Sequence, residues 1–259
     1  MLLILIAILL PMLLVYAGKP KYQLAWEDQF KGNVLNTEYW TKLHRSPADW
    51  NRYMSKCPAV YEHRNGRLRL FAKVNEGLDA NDSAQYLTGG ISTLYKKSIK
   101  YGKIVVRARM KGGYGTWPAI WLMPLDKKNW EYPYRAEIDI MECLNTSNYV
   151  YQTVHTYYTE VLQERNTPPY QAKVNIKLGQ YNIYTLEILP DELIFSVNGK
   201  TSFVYPRIEG NPIGQYPFGV ESYLMIDMQI GGDWPKTIDA STLPAWIDID
   251  YVKLYDYIS

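Results

Sequence analysis

A short stretch of alternating acidic and apolar residues constrains this chain more than any other part of its sequence. It runs from Glu137 to Glu142 as Glu-Ile-Asp-Ile-Met-Glu. Side chains of a strand alternate between its two faces, so Glu137 and Asp139 share one face and apolar residues occupy the other. Glu142 follows Asp139 by three residues and reaches the acidic face only if a β-bulge absorbs one residue. The stretch therefore predicts a bulged strand with one acidic face and one buried face.

Three interpretations of these acids are open from the residues alone. The simplest is a half-exposed strand whose acids face water. Like charges on neighbouring positions repel and raise one another's pKa, however, and such a cost is usually tolerated for a function. With the bulge, the carboxyl groups of Glu137 and Glu142 can lean to within ~5 to 6 Å of each other, the separation used by retaining glycosidases. The third interpretation is a calcium or manganese site formed with a later histidine.

The rest of the chain is a succession of short strand-like runs separated by turn residues. Asn65-Gly66 and Asn198-Gly199 each stand between alternating segments and predict hairpins with type I′ turns. Further strands are predicted at 89–95, 103–110, 119–123, 149–157, 181–189, 224–230 and 247–255. No segment of helical period is long enough to predict a substantial helix. The pattern predicts an all-β fold, an antiparallel sandwich of two sheets with a groove on the outer face of a bent sheet.

Composition narrows the class of ligand. The 259 residues carry a net charge of only +2, which does not provide the basic stripe that nucleic-acid binding requires. Aromatic residues make up 14% of the chain, including 24 tyrosines and 8 tryptophans, and flat rings of this kind stack against sugars. No linker or repeat divides the chain, so we expect one large β domain.

The N-terminus indicates export. The apolar run at 2–16 is too short to cross a bilayer, which takes about 20 residues, and a small-residue cleavage pattern ends at Ala17. Residues 1–17 are therefore predicted to be a signal peptide and 18–259 a single catalytic domain. The usual basic n-region is missing, so an uncleaved N-terminal anchor is the alternative. In both cases the domain is expected to be periplasmic, on the cell surface or extracellular. If the signal peptide is cleaved, the mature protein is expected to have no membrane span.

Two cysteines, Cys57 and Cys143, lie far apart in the sequence. An exported pair can form a disulfide, but sequence alone does not fix its geometry. Cys143 directly follows the acidic strand, where a small buried residue suffices. We expect both to be free thiols.

Glycine- and tryptophan-rich segments flank the acidic strand. Residues 112–124 read Gly-Gly-Tyr-Gly-Thr-Trp-Pro-Ala-Ile-Trp-Leu-Met-Pro, and after the strand come Thr-Val-His at 153–155 and Gly-Gly-Asp-Trp-Pro at 231–235. Together with the acidic strand, these segments resemble glycoside hydrolase family 16, especially its laminarinase-like branch. The resemblance extends over nearly the whole mature chain, from Trp26 to Tyr255. It implies a β-jelly-roll sandwich with an open substrate cleft, in agreement with the strand pattern.

The resemblance also implies roles for the three acids. Glu137 corresponds to the nucleophile, Glu142 to the general acid/base, and Asp139 to an acid that hydrogen-bonds the nucleophile and separates the two charges. A retaining glycosidase needs one carboxylate to attack the anomeric carbon and one protonated carboxyl to serve the leaving oxygen.

Four further residues are candidates for substrate binding by resemblance. Trp117 and Trp121 would shape the sugar-binding floor, and Trp234 would lie on the opposite part of the cleft. Core packing is the alternative for both Trp117 and Trp121, whereas Trp234 stands in a loop and is expected to be exposed. His155 would orient the acid/base or contact the sugar, and a structural role is its alternative.

Two segments depart from the laminarinase pattern. After His155 the chain continues Thr-Tyr-Tyr, and the loop at 49–57 replaces a polar, tyrosine-rich stretch. Trp50, Asn51 and Trp130 are therefore candidates for a modified sugar pocket, as in family members that cut galactose-containing chains of mucin or keratan type. The family often carries a structural calcium, which Asp250 and the backbone near Gly32 would hold here.

The sequence thus predicts a secreted, monomeric, retaining endo-β-glycoside hydrolase that needs no cofactor for catalysis. Its glycan substrate is expected to be β-1,3-glucan or mixed-linkage glucan. One alternative is an endo-β-1,4-galactosidase for mucin or keratan-type poly-N-acetyllactosamine. A different class is a non-catalytic jelly-roll lectin, which would need a metal site but not Glu142.

Overall fold

The structure, a computed structural model, describes residues 20–131 and 134–258, so the predicted signal peptide lies outside the described residues. Its strands in chain order are β1 (Tyr22–Asp28), β2 (Thr41–Lys42), β3 (Tyr61–His63), β4 (Leu68–Val74), β5 (Tyr86–Thr88), β6 (Gly90–Ser92), β7 (Gly102–Lys111), β8 (Thr116–Pro124), β9 (Glu137–Glu142), β10 (Tyr149–His155), β11 (Gln171–Asn175), β12 (Asn182–Ile188), β13 (Glu192–Val197), β14 (Lys200–Pro206), β15 (Ser222–Ile230) and β16 (Ala245–Tyr257). A four-residue helix, α1 (Tyr157–Glu160), follows β10. No helix within the described ranges has the length and apolarity needed to cross a membrane.

The described strands form two antiparallel sheets, which confirms the predicted all-β sandwich. The larger sheet has the order β14-β13-β12-β7-β16-β4-β3, with β1 against β16 and β5 against β4. The smaller sheet has the order β11-β10-β9-β8-β15-β6-β2. The acidic stretch is β9, and it lies inside the smaller sheet between β8 and β10.

Apolar side chains between the sheets form the main core. In β7, Ile104, Val106 and Ala108 are fully buried while the residues between them are only partly buried. Ile138 and Ile140 of β9 reach the same core from the other sheet. A slip of one residue would exchange the buried and outer faces, so this alternation fixes the register and leaves the acids of β9 on the outer face.

The hairpin predictions are confirmed, whereas two strand boundaries are wrong. Asn65 and Gly66 both have positive φ, as do Asn198 and Gly199, which is what type I′ turns require. The strand predicted at 89–95 ends at Ser92, because the chain turns there and the Lys96 amide donates to the Thr93 carbonyl. The strand predicted at 149–157 ends at His155, because the Thr156 side chain accepts a hydrogen bond from the Thr159 amide and caps α1. Cys57 and Cys143 are buried free thiols, as expected.

Candidate active site

A β-bulge in β9 brings the three acids to one face. On β10, Tyr151 pairs with Glu142 and Thr153 pairs with Asp139, so three steps along β9 match two steps along β10. The pairing of β9 with β8 shows the same offset. The predicted bulge is confirmed, and it turns Glu142 to the face that carries Glu137 and Asp139.

A cleft of about 400 Å³ opens on this face and is lined by all three acids. Its lining also contains the predicted residues Trp50, Asn51, Trp117, Trp121 and Trp130. Apolar side chains of neighbouring strands, including Ala119, Tyr223 and Met225, pack together under it. The cleft therefore combines a carboxylate cluster with an aromatic and apolar surface, a combination typical of small-molecule and sugar sites.

Glu142 has the surroundings of a proton donor. Its side chain is buried, and Trp117 Nε1 donates a hydrogen bond of 3.0 Å to Glu142 Oε1. Burial raises the pKa of Glu142 well above its usual value, and the charge of Asp139 raises it further. Glu142 can therefore keep its proton at a pH where an exposed glutamate is ionised.

Glu137, unlike Glu142, has a basic side chain as its partner. The Arg135 guanidinium forms an ion pair with Glu137 Oε2, to which Arg135 Nε donates at 2.8 Å. The contact is a charge-assisted ion pair that holds the Glu137 side chain beside the guanidinium. Arg135 was not among the residues predicted from the sequence, although its position two residues before Glu137 predicts the same face of the strand.

Asp139 and His155 form an ion pair at the centre of the site. His155 Nε2 lies 3.2 Å from Asp139 Oδ2, and His155 Nδ1 lies 3.1 Å from Glu160 Oε1. Burial raises the pKa of Asp139 to about 6, and the contact with His155 opposes that shift. For His155, burial lowers the pKa, but the two carboxylates outweigh burial and hold the pKa well above its usual value. The two carboxylates thus favour the doubly protonated form of His155, and Asp139 is its partner in the site.

The described residues do not fit the metal sites considered from the sequence. Donor atoms of Glu137, Asp139 and His155 lie within 4.8 Å of one another. A histidine ligand must be neutral, whereas both nitrogens of His155 face carboxylates. The expected calcium at Asp250 is not supported either, because the Asp250 carboxylate is paired with the Arg107 guanidinium.

Aromatic residues continue the site beyond Glu142. Trp117 and Trp234 meet edge to face with ring centroids 5.1 Å apart, and Trp234 contacts Tyr151 at 5.2 Å. The loop that carries Trp234 turns at two glycines with positive φ, and a Cβ on Gly232 would lie 2.9 Å from the Asp49 Cβ. Trp234 is 37% exposed, which confirms the expectation for this loop.

Trp121 belongs to the cleft rather than to the core between the sheets. It packs edge to face against Trp50 with centroids 5.0 Å apart, and its Nε1 donates a 2.8 Å hydrogen bond to Asp227 Oδ2. Asp227 is fully buried, its Oδ1 lacks a partner, and burial raises its pKa to about 7. The position of Asp227, 106 residues away in sequence, could not be anticipated from local patterns.

The two remaining candidates also line the cleft. Asn51 is buried and accepts a hydrogen bond of 2.5 Å from Ser46 Oγ. Trp130 donates from Nε1 to the Pro124 carbonyl at 2.6 Å. Both side chains are thereby held in the wall of the cleft that Arg135 and Glu137 also line.

Two known enzymes are similar to this chain in sequence. A keratan-sulfate endo-1,4-beta-galactosidase of Sphingobacterium multivorum is 33% identical over 236 residues, which cover 90% of this chain and 55% of the relative. Glucan endo-1,3-beta-glucosidase A1 of Niallia circulans is 29% identical over 90% of this chain and 37% of the relative. The chain thus spans about half or less of the length of these two relatives.

A solved structure and a family profile both relate this chain to glycoside hydrolases. The laminarinase catalytic domain of Thermotoga maritima superposes with a TM-score of 0.78 at 25% identity, covering 92% of this chain and 99% of that domain. The β-jelly-roll expectation is confirmed by this likeness. The profile of glycosyl hydrolases family 16 matches residues 58–253, which include β9 and its bulge. With the carboxylates on one face of the bulged strand, the chain belongs to glycosyl hydrolase family 16.

Proposed function

We propose that the protein is a retaining endo-β-glycoside hydrolase with Glu137 as the nucleophile and Glu142 as the general acid/base. One observation carries the proposal: on the same wall of one cleft, Glu137 is paired with a guanidinium while Glu142 is buried with a raised pKa. Double displacement requires one carboxylate that attacks the anomeric carbon and one carboxyl that keeps its proton, and these surroundings differ in that sense. A lectin would have no use for the proton on Glu142.

The first step forms a covalent sugar ester. Glu142 gives its proton to the glycosidic oxygen as the Glu137 carboxylate attacks the anomeric carbon, so the bond to the leaving sugar breaks and an ester to Glu137 forms. The charge of Glu137 is lost in the ester. Asp139 contacts His155 rather than hydrogen-bonding Glu137 as expected, and as an anion held by His155 it supports this exchange of charge.

The second step restores the enzyme. Glu142, now ionised, takes a proton from a water molecule that attacks the anomeric carbon from the side the leaving group vacated. The ester to Glu137 breaks, and the product keeps the β configuration. Both steps use only carboxyl groups and water, so the proposal includes neither a cofactor nor a calcium ion at Asp250.

Cleavage at internal bonds of the glycan is supported by binding surfaces on both sides of the catalytic acids. The nucleophile contacts the sugar whose bond is cut, so the walled cleft beside Glu137 takes the glycone. The aromatic row of Trp117, Trp234 and Tyr151 lies beside Glu142, where the leaving part of the chain must pass. A groove with contacts on both sides suits a polymer bound along its length.

We propose β-1,3-glucan or mixed-linkage glucan as the substrate. The names of the Niallia circulans relative and the Thermotoga maritima laminarinase support this choice. A keratan-type endo-β-1,4-galactosidase is the second candidate. It is favoured by the 33% identical relative and by the altered cleft wall of Trp50, Asn51 and Trp130.

A product profile on four polymers distinguishes these candidates. The protein is incubated with laminarin, lichenan, agarose and poly-N-acetyllactosamine, and early products are separated by size, with Glu137→Gln as the matched inactive control. We expect oligosaccharides of several lengths from laminarin and lichenan. Products from poly-N-acetyllactosamine alone would establish the second candidate, and release of only monosaccharide would contradict internal cleavage.

We also propose that the catalytic domain is exported and works as a monomer. The support is the predicted signal peptide at 1–17, and the test is N-terminal sequencing of the secreted protein together with its mass in solution. A mature chain beginning at Gly18 with the mass of one copy is expected. A membrane-retained chain that still begins at Met1 would establish the anchor alternative.

A further inference from the structure

His155 lies between carboxylates contributed by two different elements. Asp139 on β9 faces its Nε2 at 3.2 Å, and Glu160 at the end of α1 faces its Nδ1 at 3.1 Å. A neutral imidazole carries one ring proton and can serve only one of these partners as a donor. The attraction of the ring to both carboxylates is greatest when His155 carries two protons and a positive charge.

Arg165 fixes the outer carboxylate. Its Nη2 lies 3.0 Å from Glu160 Oε2, its Nε donates to the Thr159 carbonyl at 2.9 Å, and its guanidinium lies 5.2 Å from the centroid of the Tyr170 ring. The hydrogen bond with His155 lowers the pKa of Glu160, and the charge of Arg165 acts in the same direction. Glu160 is therefore held as an anion in one place.

The charges around His155 come from every element packed against it. Asp139, Glu137 and Glu142 lie near it on β9, Glu160 faces it from α1, and Arg165 stands behind Glu160. Within the cleft, Arg135 offsets the charge of Glu137. Glu160 contacts the imidazole directly and lies outside the cleft. Its charge raises the pKa of His155 in the same direction as Asp139 does, and Glu160 takes no part in the chemistry.

This arrangement belongs to a segment where the chain departs from the laminarinase pattern. Thr156 and Thr159 cap α1 by hydrogen bonds between their side chains and each other's amides, and both are fully buried. The cap starts the helix directly after His155. One turn later, the Glu160 carboxylate lies against Nδ1 of the His155 ring. The cap thus places a support for His155 directly after it in the chain.

We propose that Glu160, held by Arg165, is a positioning residue that keeps His155 doubly protonated, so that the imidazolium holds the Asp139 carboxylate beside the nucleophile Glu137. Neither Glu160 nor Arg165 lines the cleft. The proposal rests on the proposed function for its catalytic consequence, but the protonation of His155 can be measured on the protein without any substrate.

The first test is an NMR titration of the imidazole. The chain has only three histidines, so the ring signals of His155 are assigned by one His155→Asn spectrum. Removing an opposite charge at this distance shifts a pKa by ~1 to 3 units, and Glu160→Gln is expected to lower the pKa of His155 by that amount. Glu164→Gln, an exposed change in the same segment, is the matched control and is expected to leave the titration unchanged.

The second test is the pH dependence of kcat. In Glu160→Gln, kcat is expected to fall at alkaline pH with a midpoint that follows the imidazole pKa measured for that variant, separately from the limb that Glu142 sets, with KM little changed at acid pH. Arg165→Met should move both in the same direction by less, and it provides the comparison if Glu160→Gln fails to fold. A merely structural role would lower kcat equally at every pH.

The outcomes separate the inference from the proposed function. An unchanged pKa of His155 in both variants, or an ordinary histidine pKa in the wild type, overturns the inference whatever the activity. The expected imidazole shift in a protein that cleaves none of the four polymers leaves the support for His155 intact and contradicts the proposed function instead.

Discussion

Asp227 offers a test of how the cleft floor is built. It is a fully buried carboxyl that accepts a hydrogen bond from Trp121, and its second oxygen has no partner among the described residues. Burial raises its pKa from 3.8 to about 7, and the hydrogen bond from Trp121 only partly opposes this. An acid whose pKa rises on folding contributes stability while it is protonated. That contribution is complete below pH 3.8 and is lost as the pH rises through 7.

The size of this effect follows from the shift. About three pKa units at 1.36 kcal/mol each correspond to ~4 kcal/mol of lost free energy of unfolding once Asp227 is ionised. Asparagine has the same shape, still offers Trp121 an oxygen, and does not ionise. We therefore expect Asp227→Asn to be more stable than the wild type by ~2 kcal/mol at pH 5.5 and by ~4 kcal/mol at pH 8.

Urea unfolding at both pH values, followed by tryptophan fluorescence, measures this difference. Asp256→Asn removes an exposed carboxylate of the same type and is the control, with an expected change below about 0.5 kcal/mol at either pH. A variant that is less stable than the wild type at pH 8 would refute the reasoning. A stability difference that does not grow with pH would refute it as well.

Two substitutions test the Glu142 side of the cleft. Trp117→Phe removes a hydrogen-bond donor that favours ionised Glu142, so the pKa of Glu142 should rise. The alkaline limb of kcat/KM should then move up by ~1 to 2 pH units. A limb that stays or moves down contradicts the assignment of Glu142 as the acid. Trp234→Ala removes a partly exposed ring beside the leaving sugars, so KM for the polymer should rise by roughly 3- to 10-fold with kcat little changed. An unchanged KM would place the leaving sugars elsewhere.

Local patterns were sufficient for the parts of this protein that depend on local chemistry. The period-two alternation with one extra step between Asp139 and Glu142 predicted the bulge, because only a bulge places all three acids on one face. Asn-Gly predicted both hairpins, because its two residues accept positive φ. These features depend on neighbouring residues along the chain, which the sequence displays directly.

The supporting contacts could not be predicted in this way. Asp227 reaches Trp121 because β15 pairs with β8, a pairing between strands about 100 residues apart. Glu160 reaches His155 because Thr156 ends the strand two residues earlier than its pattern indicates. Asp250 is a further case, since the carboxylate expected to hold calcium has Arg107 as its partner across the sheet. Such contacts depend on tertiary pairing.

The central claim, the separate roles of Glu137 and Glu142, is tested most directly by azide rescue of two alanine variants on an activated aryl β-glycoside. Glu137→Ala leaves space beneath the anomeric carbon, where azide attacks once and gives an α-glycosyl azide. Glu142→Ala still forms the ester on Glu137, since the aryl group needs no proton, and azide then attacks from the other face to give a β-glycosyl azide. Proton NMR identifies the anomers. A β-azide from Glu137→Ala, or an α-azide from Glu142→Ala, would contradict the account.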